Sequence, residues 1–360
     1  MKIVLYTRYS ELGASSRYRT LQYKKVLEGE GHSTLHRPFF PDGYLNADGS
    51  KFKRAFFVVF AYLRRVLSLL VDTRRADLLV VEKELLPNLP AAVEMLLCCR
   101  TTRVLYDFDD ATWETYNKST LRRLIARSKF PKLIAGKQVI AGSRHLELQC
   151  QQWGASNVSR IPTVLPSSLY FGQGLSSHKK YDVVWIGSKS TAEYLIPLAP
   201  VFKSLVEDRQ TSIALIGVPA FVQRLLPSGL TFLEWTSTSE VAVLASSRLG
   251  IMPLPDLPFE RGKCGFKLVQ YMGAGLPVIA SPVGENVHIV THGSNGYLAA
   301  TAEEWAKGIL KILESQETQD RFARNSYERF ASDYTLEAWS GAYLDAIAAA
   351  SEGTKPDQSR

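Results

Sequence analysis

A chain of 360 residues exceeds what one ordinary hydrophobic core serves and fits two domains of common size. Its 46% hydrophobic and 22% charged residues exclude wholesale disorder and collagen-like structure, and a net charge of +8 favours anionic partners such as nucleotides, phospholipid surfaces or nucleic acid. The four cysteines, Cys98, Cys99, Cys150 and Cys264, have neither metal-ligand spacing nor the density of a disulfide scaffold, so reduced thiols and a cytoplasmic location are expected.

The chain opens with MKIVLYT, where one lysine precedes a short apolar run that Arg8 and Glu11 soon interrupt; this reads as a strand and not as a secretory signal. The loop after it holds Gly13, Ala14, Ser15 and Ser16 and passes into a helix. Ser15 or Ser16 is the expected N-cap, and the helix start, with Arg17 and Arg19 beside it, attracts an anion or simply carries two solvated arginines. Neither a G-x-G-x-x-G fingerprint nor the P-loop lysine pattern occurs there, so neither NAD nor Walker-type ATP binding is expected.

Residues 55–71, AFFVVFAYLRRVLSLLV, approach the length of a membrane span, but Arg64 and Arg65 break the run near its middle and make spanning too costly. Phe56, Phe57, Phe60, Leu63, Leu67 and Leu70 fall on helical spacing. Two readings stay open: a core-facing helix, or one that also rests on an anionic membrane surface.

Two further strands, ADLLVVE and TRVLYDF, end in carboxylates: Glu82 and Glu84 after one, Asp107, Asp109 and Asp110 after the other. Asp109 and Asp110 suit a divalent cation, sugar hydroxyls or a helix cap. KQVIAGS is a further strand of this series. A Pro-, Gly- and Ser-rich linker follows, and the pattern restarts with YDVVWIG, TSIALIG, SRLGIMPLP and LPVIAS. Strands alternating with helices imply an α/β protein with parallel sheets. The expected layout is a first domain over 1–165, a linker at 166–180, a second domain over 181–335, a C-terminal helix over 336–350 and a flexible tail over 351–360. Two doubly wound domains so joined would face each other across a cleft at the carboxyl ends of their sheets.

In the second domain Gly187, Ser188, Ser190 and Thr191 follow the first strand, where a phosphate or ribose hydroxyls suit small residues. ERGKCGFKLVQYMGAGLPVIAS is more demanding. Gly265 and Phe266 open a helix that ends near Gly273–Gly275, and Arg261, Lys263 and Lys267 bring charge enough for a diphosphate. Gln270, one turn after Lys267, can reach a ribose. There is no zinc finger, ribonucleoprotein motif or basic heptad helix, so nucleic acid is not an expected partner.

The run from Leu249 to Ala299 resembles the C-terminal domain of GT-B-fold glycosyltransferases of group 1, or family 4, which are retaining enzymes. SSRYR, VEKELLP, LYDFDDATW and VIAGSRHL resemble the N-terminal half of members that assemble cell-surface polysaccharide. The resemblance implies a nucleotide-sugar donor, a glycan or lipid-linked acceptor, a front-face transfer without a protein nucleophile, no metal or other cofactor, and a place at the inner face of the membrane. It also implies that the C-terminal helix crosses back to the first domain. Members often carry two glutamates eight positions apart; Gln270 stands at the second and Gly262 at the first, which leaves Glu260 as the nearest carboxylate. Lys263, with Arg261 or Lys267, then takes the catalytic diphosphate role, and Gly284 matches a glycine of the donor loop. Ser15, Ser16, Arg17, Arg19, Glu84, Asp109 and Asp110 fall to the acceptor side.

Overall fold

The computed structural model describes residues 1–45, 51–98, 103–170 and 179–352. The chain divides into two compact units, one of Met1–Thr163, Gly262–Cys264 and Trp339–Arg360, the other of Val164–Arg261 and Gly265–Ala338. Of the expected linker, residues 171–178 lie outside the described residues, as does the expected tail from 353 onward; Ser351 and Glu352 still belong to the last helix.

The first unit runs β1 (Lys2–Thr7), α1 (Ala14–Arg19), α2 (Lys24–Gly29), β2 (Ser33–Pro38), α3 (Asp42–Leu45), α4 (Lys51–Arg75), β3 (Leu78–Glu82), α5 (Ala91–Leu97), β4 (Val104–Phe108), α6 (Thr120–Ile134), β5 (Gln138–Ala141), α7 (Arg144–Gln152) and β6 (Asn157–Arg160). Its strands are parallel in the order β2-β1-β3-β4-β5-β6. β3 and β4 are buried at every position, as strands covered on both faces by helices must be. The chain leaves β1 toward β2 and returns on the other side as β3, so the strand order reverses between β1 and β3. The loops after these two strands frame the crevice where an open α/β sheet takes its ligand.

The second unit has β7 (Tyr181–Ile186), α8 (Ala199–Arg209), β8 (Ile213–Ile216), α9 (Ala220–Gln223), β9 (Thr231–Leu233), α10 (Ser237–Ala245), β10 (Ser247–Met252), α11 (Pro258–Arg261), α12 (Phe266–Gly273), β11 (Val278–Ala280), α13 (Asn286–Ile289), β12 (Gly296–Leu298), α14 (Ala302–Leu313) and α15 (Gln316–Asp333). The last helix, α16 (Leu336–Glu352), starts in this unit and belongs to the first from Trp339 on. The sheet is again parallel, ordered β12-β11-β10-β7-β8-β9, and reverses between β7 and β10. Trp185, Phe202, Leu215, Ile251, Ile279 and Phe322 sit in one buried cluster that joins the sheet to the helices on it.

Three local expectations are corrected. Helix α1 begins at Ala14 with Gly13 as its N-cap, and no side chain caps it. Ser15 and Ser16 lie inside the first turn, and their hydroxyls go to carboxylates instead. Most of the apolar residues spaced along α4 do not face the core: Phe56, Phe60, Leu63, Leu67 and Leu70 are exposed and Phe57 is half-buried, while Ala61, Arg65, Leu69 and Asp72 are buried. Finally, the eight strands read from the sequence are joined by β2, β6, β9 and β12, which are the four edges of the two sheets.

Candidate functional site

At the β1/β3 reversal of the first unit, side chains from three strand ends converge. Ser15 Oγ donates to Glu82 Oε1 at 2.8 Å and to Asp109 Oδ2 at 2.6 Å, and Ser16 Oγ donates to Glu82 Oε2 at 2.6 Å. The backbone N–H of Arg8 adds a bond to the same Glu82 oxygen at 3.1 Å. Lys83 reaches across to both aspartates, with its Nζ 2.9 Å from Asp109 and 2.8 Å from Asp110. Its backbone sits at φ 66°, a left-handed conformation that costs a side-chain-bearing residue about 1–2 kcal/mol. Burial alone would raise the Asp109 carboxyl, but the Lys83 ammonium and the Ser15 hydroxyl bring it down to about 2.

Not every predicted residue joins this cluster. Arg19 was grouped with Arg17 at the helix end, yet it is buried, with Nε and Nη2 both 2.8 Å from Asp107 Oδ1. Its charge is spent inside the sheet. Arg17 stays half-buried and lies over the ring of Tyr18 at 4.5 Å. Glu84 turns to the buried Lys129, 2.6 Å away, and to the hydroxyl of Tyr116; Lys129 also pairs with Glu94 at 2.8 Å. Glu84 is therefore part of an internal ionic network. Lys83 was missed, although it stands between the two glutamates of VEKELLP; its left-handed turn toward Asp109 and Asp110 leaves no trace in the sequence.

Residues Gly262–Cys264 belong to the first unit. A Cβ built on Gly262 would lie 2.6 Å from Ala111 Cβ and 2.8 Å from Ala111 N. No side chain fits there, so the carboxylate that the resemblance leads one to expect at this position is sterically excluded. Lys263 is half-buried.

In the second unit the β7/β10 reversal places Gly187 and Ser188 directly after β7. Thr191 Oγ1 accepts from the Ser188 N–H at 3.2 Å, and Ser188 and Ser190 share a hydrogen bond at 2.9 Å on the exposed side of this loop. Lys267, from the first turn of α12, extends to Thr191 Oγ1 at 3.5 Å and lies 5.6 Å from the Trp185 ring centroid. The helix N-cap is Gly265 at φ 68°, without a side-chain cap, and a Cβ there would meet Ile289 Cδ1 at 2.2 Å. Glycine is thus required twice over, by backbone conformation and by space. The loop after β7 and the uncapped first turn of α12, with the half-buried Phe266 in it, are joined by the Lys267 contact. Gly284, at φ 56°, has the Arg261 carbonyl behind it.

The remaining expected residues are engaged. Arg261 makes a bidentate pair with Asp256, at 2.6 and 3.0 Å, on the exposed surface. Glu260 is buried and accepts from the Tyr194 hydroxyl. Gln270 is buried as well, and its amide donates to Glu240, whose other oxygen accepts from the Trp235 indole at 2.6 Å. Glu240 is a site residue that sequence reading missed, because thirty positions separate it from Gln270.

Residues 180–315 match the family model described as glycosyl transferases group 1. A probable sucrose-phosphate synthase of Thermosipho melanesiensis is 32% identical over 116 residues, which make up 32% of this chain and 27% of that protein's length. Among solved structures, HepE of Anabaena in complex with UDP and glucose superposes with a TM-score of 0.65 at 17% identity, over 97% of this chain and 100% of that one. Sucrose-phosphate synthase from Thermosynechococcus elongatus reaches 0.70 at 16% identity, over 97% and 99%. Two six-stranded parallel sheets with this topology are the GT-B fold. The resemblance read from the sequence holds in fold over nearly the whole chain, and the family model matches residues 180–315.

Proposed function

We propose that the protein transfers a sugar from a nucleotide-sugar donor to a glycan or lipid-linked acceptor, with retention at the anomeric carbon, as a step of cell-surface polysaccharide synthesis. The observation that carries this reading is the match of residues 180–315 to group 1 glycosyl transferases, on the unit whose strand-order reversal holds the Gly187–Thr191 loop and the Gly265 helix start. That Anabaena HepE has been solved with UDP and with UDP-glucose supports a nucleoside diphosphate sugar as donor.

In this reading the Gly187–Thr191 loop and the helix start at Gly265 and Phe266 take the diphosphate, because the positive end of α12 favours an anion. Lys267 neutralises it, and by the resemblance Arg261 and Lys263 are the further cations of the reaction. Gly284 backs the donor loop, and Gln270, held by Glu240, offers its carbonyl oxygen to a ribose hydroxyl. The departing diphosphate oxygen removes the acceptor proton, so no side-chain nucleophile is needed. On the acceptor side, Ser15, Ser16 and Asp109 present hydroxyls and a carboxylate that stays ionised at neutral pH. Arg17 and Asp110 flank them, while Arg19 and Glu84 support the sheet from inside. In this reading no metal takes part, and the Lys83 ammonium, paired with both Asp109 and Asp110, supports it. The protein works in the cytoplasm, peripherally at the inner face of the membrane.

The test is acceptor-dependent release of nucleoside diphosphate from a panel of donors, with the anomeric configuration of the product read by proton NMR. Release with an α-linked product from an α-donor is expected. Tight donor binding without release would make the protein a nucleotide-sugar binder instead, and inversion would refute the front-face mechanism.

A further inference from the structure

Helix α4 is built inside out. It turns Arg65 and Asp72 inward, both buried, and leaves Phe56, Val59, Phe60, Leu63, Leu67 and Leu70 between 41% and 65% exposed. The inward groups fix this orientation. Arg65 donates to Thr7 O at 2.9 Å and lies 4.5 Å from the Tyr6 ring centroid, and Asp72 accepts from the Tyr6 hydroxyl at 2.8 Å and pairs with Arg37 at 3.0 Å. Rotating the helix to hide the outward stripe would strip a buried arginine and a buried aspartate of their partners, which is strongly unfavourable. The outward residues recur at i, i+4, i+7, i+11 and i+14 from Phe56 and so form one stripe along the helix.

The stripe does not stand alone. Helix α4 packs against α5, and α5 against α6. Met95 and Leu96 on α5 are 55% and 86% exposed, and Leu121 and Leu124 on α6 are 70% and 58% exposed. The charge balance of the three helices is equally one-sided. Their only acidic residues, Asp72 and Glu94, are buried and paired, whereas Arg74, Arg75, Arg122, Arg123, Arg127 and Lys132 are exposed. Neighbouring helices that expose apolar and basic side chains and no carboxylate of their own are complementary to an anionic bilayer, where side chains enter the headgroup layer and arginines meet lipid phosphates. No helix among the described residues is long and apolar enough to cross a membrane, so α4 would lie on the bilayer.

We propose that the α4–α5–α6 face is the docking surface for an anionic phospholipid bilayer. The proposal rests on the reading above only for the peripheral location, since it needs no transfer activity.

Co-sedimentation with vesicles of phosphatidylcholine, with and without phosphatidylglycerol, tests it. The intact protein is expected to pellet with the anionic vesicles alone and to release as salt is raised. Leu63→Glu/Leu67→Glu, at exposed positions where folding is not disturbed, should weaken partition by about tenfold or more. Arg122→Glu/Arg123→Glu should do the same by about tenfold. Unchanged thermal melts confirm that both variants fold. A protein that stays in the supernatant at low salt, or variants that pellet like the parent, would overturn the proposal. So would a Leu63- and Leu67-dependent dimer in sedimentation velocity without vesicle binding, which would assign the face to a second copy. A donor-induced thermal shift measured without vesicles tests the transferase reading separately, so either idea can fail alone.

Discussion

Replacing Lys83 by Met tests the cluster at the first unit's strand ends most severely. Met keeps the length of the side chain and the left-handed backbone but removes the ammonium 2.9 Å from Asp109 and 2.8 Å from Asp110. Breaking a buried pair of this kind costs about 3–5 kcal/mol, because the carboxylates left behind are uncompensated. The fall of Asp109 from its ordinary 3.8 to about 2 supplies on the order of 2 kcal/mol of this at neutral pH. The sign follows from the direction: a carboxyl lower in the folded state than in the unfolded chain stabilises above its unfolded value, and the contribution fades as pH falls from about 4 toward 2. In Lys83→Met that contribution is gone, burial now raises the carboxyl, and the acid limb of stability moves to higher pH. Hydrogen exchange at the amides of β3 and β4 reads the opening free energy of this unit by itself. Asp109→Asn in the Lys83→Met background should recover part of the loss, a coupling of about 1–3 kcal/mol. A loss under about 1 kcal/mol with no coupling would show that the ammonium does not hold this cluster together.

Gly265→Ala should destabilise the second unit by about 2–4 kcal/mol, from the left-handed backbone and the overlap with Ile289 Cδ1, and Gly265→Ala/Ile289→Val should regain the packing share in thermal unfolding. Lys267→Ala should weaken nucleoside diphosphate binding by about tenfold or more in calorimetry, the worth of one charge-assisted hydrogen bond. Lys263→Ala should slow transfer by about 100-fold or more at saturating donor without lowering the melting temperature, and near-parental turnover would remove it from the reaction. Gln270→Ala should lower both stability, by about 1–3 kcal/mol, and donor affinity, since Glu240 loses a buried partner. If donor affinity stays unchanged, Gln270 serves Glu240 alone.

The central strands were legible because both-face burial writes them as apolar runs: LLVVE and VVWI can be little else. The four edge strands were not. STLHRP and NVSR are half-buried and polar, and TFL and GYL are three residues long, so neither alternation nor hydrophobicity marks them. Position relative to the strand ends was legible for the same reason: Asp109 and Gly187 follow β4 and β7 directly, Ser15 lies in the first turn of the helix after β1, and Gly265 opens α12. Partnership was not legible. That Arg19 would go to Asp107 while Arg17 stayed half-buried follows from one helical step, and that Glu84 would be claimed by Lys129 follows from a residue 45 positions away. Helix α4 shows a different limit. Its periodicity was plain, but periodicity names two faces without saying which is inside, and here a buried arginine and aspartate decide.

The proposed function requires that the second unit bind a nucleotide-sugar. Thermal unfolding of the protein across a panel of nucleoside diphosphate sugars measures this directly, since a ligand bound only by the native state raises the melting temperature with concentration; about 2.7 kcal/mol is gained at one hundred times the dissociation constant. A saturable rise with one donor and its nucleoside diphosphate is expected, reduced in Lys267→Ala. A flat response to every nucleotide-sugar in the panel would contradict it.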